Sequence, residues 1–291
     1  MTSNTKGVVI SARNNNSIEY SDLVCIAAKY VRKSLSGFDE ICLITDTATY
    51  ESNTNMIDSV FDLVIIRDPQ VKPNPRMFKD TVGTTKISNF LNMDRASMYD
   101  LSPYDETLVI DADYFVMTDV LDQVWGSEND FMINCKYHDI SGRGNTNIHY
   151  LDDFTIPMYW ATVMYFKKSD YAESVFYLVN KIQDNYQYYY QLYNCSGTMF
   201  RNDYAFSIAL HILNGNVASN VPSLPIEYLN NSYDLDDIYR VDAYDDILMF
   251  CATRENKEDH VLGRFKNMDL HIMNKFAIMR HKDAFLEAVN E

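Results

Sequence analysis

The chain has 291 residues, 47% hydrophobic and 23% charged, a composition typical of a globular protein with one large or two small α/β domains. Its net charge of −16 argues against a general polyanion-binding protein, because phosphate contacts need clustered Lys and Arg. The five cysteines are scattered without a C-x-x-C pair, which argues against a disulfide framework or a zinc knuckle.

The same features predict a cytoplasmic location. The cysteine pattern fits a reducing compartment, and the first ten residues lack the basic and apolar blocks of a secretory signal. The longest apolar runs, such as residues 247–252, are far too short to cross a bilayer. We therefore expect no membrane span.

The negative charge is unevenly distributed along the chain. Residues 251–291 carry seven Lys and Arg against seven Asp and Glu, whereas the remainder carries 18 against 34. A neutral tail could face an anionic ligand, or the charges could cluster by chance on a solvated surface. Composition leaves both interpretations open.

Strand and helix patterns alternate through the first half. Apolar runs predict strands over residues 7–13, 40–46, 62–67 and 107–111, and helical spacing predicts helices over 19–34 and 85–99. This order predicts an α/β fold with a mainly parallel central sheet and flanking helices. Such sheets bind ligands at the carboxyl ends of their strands, which here are Ser11, Asp46 and Asp111.

The second half is less regular. Its pattern predicts a loop over residues 141–153, a strand over 159–166, a long Tyr-rich helix over 170–193 and a helix over 202–213. An acidic loop or edge is expected over 232–246, and a late strand over 269–273 before a terminal helix.

The strongest chemical signal is Asp111-Ala112-Asp113, directly after the fourth predicted strand. Two carboxylates one residue apart suit Mg²⁺ or Mn²⁺, which leave coordination positions for diphosphate oxygens. An isolated D-x-D is common on solvated loops. The apolar strand before it and Tyr114-Phe115-Val116 after it favour the metal site.

Around this motif the sequence resembles the GT-A fold nucleotide-diphospho-sugar glycosyltransferases, and within them the glycogenin-like group called family eight. That group joins a helix with a basic residue, a proline turn, an apolar strand, D-x-D and an x-D-L-x-x-L-W helix. The corresponding positions here are Arg95, residues 99–103, 108–113 and 114–117, and Asp119 to Trp125. The resemblance implies one Rossmann-like domain, with residues 1–125 binding the nucleotide sugar and 126–291 supplying a smaller acceptor side.

The resemblance also implies roles for residues on the donor side. Asp111 and Asp113 would ligate the metal, with Ala112 between them beside the donor, and Arg95 would reach the donor sugar or diphosphate. Ser11 and Ala12 would contact the nucleotide base, on which Tyr20 would stack. Without the family resemblance, the sequence would favour a surface ion pair for Arg95 and an ordinary packing role for Tyr20.

A histidine near the C-terminus completes the metal site in this family, and a lysine that contacts the diphosphate follows it. His271 and Lys275 match these positions, although Asn274 replaces the family's glycine and the lysine comes early. Imidazole nitrogen is a suitable Mn²⁺ ligand.

On the acceptor side the resemblance implies a carboxylate beside the reacting atoms. Asp203 matches the family's D-Q motif, and its alternative role is to cap the helix over residues 202–213. Trp160 and Thr162 replace an Asn and a Gly of the family, which predicts a donor sugar other than glucose or galactose.

The expected activity is a metal-dependent transfer from a nucleoside-diphosphate sugar, with UDP as the expected nucleotide, to an acceptor hydroxyl. Asp203 would act as general base if the stereochemistry inverts, and a diphosphate oxygen would take the proton if it is retained. Glycan, protein, lipid-linked glycan and metabolite all stay open as acceptors.

A hydroxymethylated base in DNA is a further candidate acceptor. The Asn- and Tyr-rich, Gly-poor composition is typical of an AT-rich genome such as that of a T-even-like bacteriophage. Net acidity argues against DNA binding.

Two other functions are compatible with this fold. A sugar nucleotidyltransferase would carry a Gly-rich loop after the first strand, where this chain has no glycine over residues 11–17. A non-catalytic carbohydrate- or nucleotide-binding module is the other alternative.

Overall fold

The computed structural model describes residues 4–68, 74–81, 83–91, 94–144, 147–151, 156–195, 199–217, 221–253 and 259–290. Its strands are β1 (Lys6–Ser11), β2 (Glu40–Thr45), β3 (Leu63–Ile66), β4 (Pro75–Asp80), β5 (Thr84–Asn89), β6 (Glu106–Ile110), β7 (Tyr114–Phe115), β8 (Phe131–Ile133), β9 (Tyr137–Asp139), β10 (Val163–Lys167), β11 (Leu229–Asn231), β12 (Asp237–Ala243), β13 (Asp246–Ala252), β14 (His260–Lys266) and β15 (Leu270–His271).

The helices are α1 (Tyr20–Ser34), α2 (Thr47–Ser52), α3 (Thr54–Val60), α4 (Met98–Leu101), α5 (Asp170–Asp184), α6 (Tyr186–Leu192), α7 (Asn202–Leu213), α8 (Lys275–Arg280) and α9 (Lys282–Asn290). Two 3₁₀ turns lie at Asp94–Ser97 and Val120–Val124. No helix in the described ranges combines the length and the apolarity that crossing a bilayer requires.

The central sheet has the strand order β3-β2-β1-β6-β10-β8. The first four strands are parallel, whereas β10 runs antiparallel to both β6 and β8. Val8 lies between Ile41 and Leu108 in the register, and all three are fully buried, as expected for strands covered on both faces. The predicted α/β class with a mainly parallel central sheet is confirmed.

Helix α1 covers one face of this sheet with an apolar stripe. Its residues Leu23, Ala27, Tyr30 and Val31 are fully buried, in agreement with the predicted helical spacing. The Tyr30 ring meets those of Phe115 and Phe285, which joins α1 to β7 and α9. The C-terminal helices thereby pack against the first helix of the chain.

A second sheet, β7-β15-β11-β9, continues directly from the central one. Strand β7 follows Asp113, and β15 pairs with it antiparallel so that His271 lies opposite Tyr114. The Ile272 N–H donates to the Asp113 carbonyl over 2.9 Å. This pairing brings residues near the C-terminus to the tip of β6.

Some predictions from local pattern are wrong. The helix expected over residues 85–99 is instead strand β5, which pairs with β4, followed by a 3₁₀ turn and the short α4; residues 92 and 93 lie outside the described ranges. The long helix over 170–193 is two helices, α5 and α6, that meet at Asn185. By contrast, the acidic loop or edge expected over 232–246 contains β12, which is the edge strand of the sheet β12-β13-β14.

The predicted loop over residues 141–153 falls partly outside the described residues, at 145–146 and 152–153. The prediction over 202–213 matches α7 at both ends. The mispredicted strand β5 forms a hairpin with β4, the strand directly before it in the chain.

Candidate active site

Asp111 and Asp113 lie in a tight turn between β6 and β7. The Asp111 N–H donates to the Thr162 carbonyl over 2.9 Å, and its carbonyl accepts from the Tyr114 N–H over 3.1 Å. The Asp111 side chain is 35% exposed, whereas that of Asp113 is 6% exposed. The turn thus presents one carboxylate at the surface of a cavity and holds the other inside.

Each aspartate has its own basic partner. Arg95 Nη2 donates to Asp111 Oδ1, and Lys275 Nζ donates to Asp113 Oδ2. Burial alone raises the pKa of a carboxyl group, but the Lys275 ammonium and the His271 ring beside it hold the pKa of Asp113 well below its ordinary value. For Asp111, desolvation within the cavity, together with the negative charge of Asp113, outweighs the neighbouring Arg95 and raises the pKa. Asp113 is therefore the more firmly ionised of the two.

The turn that carries Arg95 is fixed by a second, buried arginine. Arg13, 1% exposed, pairs with Asp94, the residue before Arg95, and donates to the carbonyls of Arg67 and Leu91. The Arg95 side chain is 3% exposed, so it is a buried ion-pair partner of Asp111 rather than a surface ion pair. These contacts fix the 3₁₀ turn over the end of β6.

His271 joins the two aspartates. Its Nε2 lies 3.2 Å from Asp113 Oδ2, and its Nδ1 lies 2.9 Å from Asn231 Oδ1. One ligand atom from each of Asp111, Asp113 and His271 falls within 4.8 Å of the others. If Nδ1–H donates to Asn231, the Nε2 lone pair faces the carboxylates, which is the tautomer that a metal ligand needs.

The donor set of this cluster fits a hard divalent cation. Two carboxylates and one imidazole are suitable for Mn²⁺ and, through the carboxylates, for Mg²⁺. The ring orientation is set by a buried amide, since Asn231 is 1% exposed. The structure thus brings together all three residues that the sequence analysis assigned to the metal.

These residues open into one cavity, whose lining also includes most other candidates. Its wall is formed by Tyr20, Arg76, Phe90, Asp111, Ala112, Asp113, Trp160, Ala161, Thr162, Arg201, Asn202, Asp203, His271, Met273 and Lys275. Arg95 is absent from this wall and acts on it only through Asp111. Ser11 and Ala12, 3% and 1% exposed, also lie outside it.

Tyr20, the first residue of α1, contributes to this wall although it is only 2% exposed. Its hydroxyl has no hydrogen-bond partner among the described residues. Burial, opposed by Lys275 and reinforced by Asp113, raises the pKa of the phenol to about 12. The ring is therefore a neutral wall close to both aspartates.

Asp203 faces the cavity from the first turn of α7. Its Oδ1 accepts from the Ala161 N–H over 3.0 Å, and its Oδ2 lies 3.2 Å from Arg201 Nη2. The N-cap position of α7 is Arg201, and its side chain forms no capping hydrogen bond. Asp203 therefore ties α7 to the segment before β10 and does not cap the helix.

Three residues beside these candidates escaped the sequence analysis. Arg76 and Arg201 line the cavity, and Asn231 orients His271. Arg201 stands next to the D-Q-like motif and could have been selected with it. Arg76 and Asn231 carry no local signal, because each reaches the site through strand pairing.

No protein-family model matches the chain, and the search of curated proteins gave no match. Among solved structures, the glycosyltransferase GlyE of Streptococcus pneumoniae TIGR4 is 13% identical with a TM-score of 0.43, over 74% of this chain and 45% of GlyE. This chain therefore spans less than half the length of GlyE.

The galactosyltransferase LgtC, in complex with donor and acceptor sugar analogues, is 15% identical with a TM-score of 0.43 over 70% of each chain. Mouse xyloside xylosyltransferase 1 is 11% identical with a TM-score of 0.42, over 75% of this chain and 84% of that one.

Proposed function

We propose that this protein is a glycosyltransferase that binds a nucleoside-diphosphate sugar, with UDP as the expected nucleotide, and transfers its sugar to an acceptor hydroxyl. The observation that carries the proposal is the convergence of Asp111, Asp113 and His271 in one cavity, although His271 is 160 positions from Asp111 in the sequence. The resemblance of residues 95–125 to family-eight glycosyltransferases supports the same assignment.

A bound Mn²⁺ or Mg²⁺ would offset the negative charge that develops on the leaving diphosphate. The residues that hold it would be Asp111, Asp113 and His271. Lys275 and Arg95 carry permanent positive charge against the same two aspartates. Lys275 lies in the cavity wall and is therefore placed to share the charge of a diphosphate that displaces part of its ion pair, whereas Arg95 lies outside the wall and would act through Asp111.

The remaining cavity wall would hold the nucleoside and the acceptor. Tyr20 offers an uncharged aromatic ring for the base. The base contacts that the resemblance implies for Ser11 and Ala12 are left out of the proposal, because both residues are buried outside the cavity wall. Asp203, held by Ala161 and Arg201, would orient the acceptor hydroxyl or take its proton.

The loop after β1 argues against the sugar nucleotidyltransferase. Asn15 Oδ1 accepts from the N–H groups of Ser17 and Ile18 over 2.8 and 2.9 Å, and Asn14 Oδ1 accepts from the Ser21 N–H. A triphosphate cradle needs such backbone N–H groups free. Here the side chains of the loop already use them.

A thermal-shift experiment with UDP and Mn²⁺ tests the proposal. A ligand that binds only the native state at a hundred times its Kd adds about 2.7 kcal/mol to apparent stability. We expect a clear stabilisation with both ligands together, and its loss in Asp111→Asn. This carboxylate is the better target because its partly exposed side chain can be neutralised with less damage to the fold than Asp113.

Asp283→Asn, an exposed change on α9, is the matched control and should keep the full shift. Turnover of UDP-glucose, UDP-galactose and UDP-N-acetylglucosamine is then measured with wild type and Asp111→Asn. A Mn²⁺-dependent shift that survives unchanged in Asp111→Asn, with unchanged hydrolysis, would contradict the proposal.

A further inference from the structure

Two arginines in the cavity wall have no place in the donor site described above. Arg76 lies on β4, and Arg201 directly precedes α7. Arg76 Nη2 donates over 2.6 Å to the carbonyl of Phe200, the residue before Arg201. This bond places the Arg76 guanidinium beside the backbone that carries Arg201, and the two charges interact in one cavity wall, although the residues are 125 positions apart in the sequence.

Their charges are not balanced by the described residues. Arg201 pairs with Asp203 over 3.2 Å, and no carboxylate of the described ranges lies within ion-pairing distance of Arg76. Burial and the repulsion of Arg201 together lower the pKa of Arg76 to about 10. Two cations thus share one carboxylate in a protein whose net charge is −16.

The two other aspartates of the cavity cannot supply the missing charge. Asp111 is paired with Arg95, and Asp113 is paired with Lys275 and lies 3.2 Å from His271. A divalent cation at these aspartates would add positive charge, and the diphosphate would compensate it there. The excess positive charge at Arg76 and Arg201 is therefore available to a different anion.

Both guanidinium groups are in contact with an aromatic ring. The Arg76 guanidinium carbon lies 3.6 Å from the centroid of the Phe90 ring, and that of Arg201 lies 5.2 Å from the Tyr204 ring. Stacking on a ring fixes the plane of the guanidinium and leaves its edge N–H groups available. Planar or tetrahedral oxyanions accept hydrogen bonds from this edge in pairs.

We propose that Arg76 and Arg201 bind a carboxylate or phosphate group of the acceptor, so that the protein glycosylates an acidic or phosphorylated sugar. The inference rests on the proposed function, within which Asp203 is the acceptor-side carboxylate. Because Arg201 contacts Asp203 directly, an oxyanion on the arginine pair would place a neighbouring hydroxyl group beside Asp203.

Binding of small acceptor analogues tests this site without requiring turnover. Glucose, glucuronate and glucose 6-phosphate are titrated into the full chain by ligand-observed NMR, with and without UDP and Mn²⁺. We expect the two acids to bind at least about tenfold more tightly than glucose, the effect of one charge-assisted hydrogen bond. The preference should weaken with rising salt concentration.

The variants Arg76→Gln and Arg201→Gln should each reduce this preference by about tenfold, whereas Arg76→Lys and Arg201→Lys should keep part of it. Arg240→Gln is the matched control, since Arg240 is 59% exposed on β12 and pairs with Asp242. Thermal melts show whether each variant is folded. If a Gln variant does not fold, the Lys variant at the same position, which keeps the positive charge, is tested in its place.

Equal affinity for glucose and both acids in the wild type would overturn the inference, as would a preference that survives in all four variants. A second pair of probes, UDP-glucuronate and UDP-glucose, examines the transferred sugar. If only this pair is discriminated, the anion lies on the donor and the acceptor assignment is wrong. Absence of the UDP–Mn²⁺ stabilisation would instead count against the proposed function. The binding of the free acids would still test whether Arg76 and Arg201 form an anion site.

Discussion

The orientation of the His271 ring depends on one amide, that of Asn231, 40 positions earlier in the chain. Both side chains are buried, so water cannot replace the hydrogen bond between them. Groups that hold a metal-binding histidine typically contribute 10–100-fold to metal affinity. The amide is thus as much a part of the candidate metal site as the ligands.

We expect Asn231→Ala to lower Mn²⁺ affinity by about 10–100-fold, because the imidazole loses the acceptor for its Nδ1–H. Asn231→Asp keeps an acceptor at the same place and should retain most of the affinity. Isothermal titration calorimetry with Mn²⁺ measures both, with the exposed Asn129→Ala as control. Equal affinities in wild type and Asn231→Ala would show that Nδ1 does not orient the ligand.

The residue types and their spacing in the sequence predicted part of this site. Asp111 and Asp113 stand out because two carboxylates follow an apolar strand, which is a local pattern. Arg95 was predicted only from the family resemblance. Its burial against Asp111 depends on Arg13 and Asp94. No local pattern marks Asn231, because its role depends on the pairing of β11 with β15.

Among the strands, β1 shows how closely the central sheet is packed against the segment that precedes β6. Gly7 lies under the ring of Tyr104, and a Cβ at this position would overlap that ring. Tyr104 is 4% exposed and its hydroxyl lies 3.3 Å from Glu40 Oε2, so the ring has little room to move. Glycine is required here for close approach.

Gly7→Ala should therefore destabilise the protein by about 1–3 kcal/mol, the usual cost of overpacking a core. The matched change Gly83→Ala meets no atom within 4 Å and should have little effect. Urea unfolding followed by circular dichroism compares the two. Equal midpoints would mean that the Tyr104 ring moves aside without cost.

The helix predicted wrongly over residues 85–99 has a physical cause. Strand β5 has a helix-like apolar spacing until it is paired with β4. Strand pairing supplies backbone partners that periodicity in a single segment cannot reveal. By contrast, α1 and α7 have an apolar face that is readable from one segment.

In the molecule as a whole, a buried ion cluster connects the second sheet to the three-stranded sheet β12-β13-β14. Arg143, 13% exposed, lies 3.0 Å from Asp139 at the end of β9 and 2.7 Å from Asp236 before β12. Asp236, fully buried, also accepts from the Ala252 N–H of β13 over 3.1 Å. One arginine thus pairs with two buried carboxylates and joins two sheets.

We expect Arg143→Met to cost about 3–5 kcal/mol at neutral pH, because it leaves buried carboxylates without their counter-ion. Burial alone raises the pKa of Asp139, but the hydrogen bonds from Arg143 and Ser141 lower it below its ordinary value. In the wild type this contribution is present above the pKa of the unfolded chain, about 4, and is lost as the pH falls through the lower folded value.

In Arg143→Met the sign reverses, since burial without the arginine favours the protonated carboxyl group in the folded state. The difference from wild type should therefore shrink from pH 7.5 to pH 5. Urea unfolding at both pH values measures it, with the exposed Arg240→Met as control. A difference that does not change with pH would rule out the carboxylates as its source.

The division of the chain near residue 125 into a donor half and an acceptor half stays a prediction, as do the site roles and the expected cytoplasmic location. What the whole fold shows is that the cavity draws on both halves. Asp111 and Tyr20 come from the first, and Asp203, His271 and Lys275 from the second.

The amino-acid sequence by itself determined the alternating strands and helices, the buried parallel strands and the two aspartates at a strand tip. These follow from hydrophobic period and local spacing, which act within a few residues. Only the tertiary structure decided that His271 meets Asp113, that Asn231 orients it and that Arg76 lies beside Arg201. Such contacts join positions tens to hundreds of residues apart, and they form only when the sheets and helices pack together.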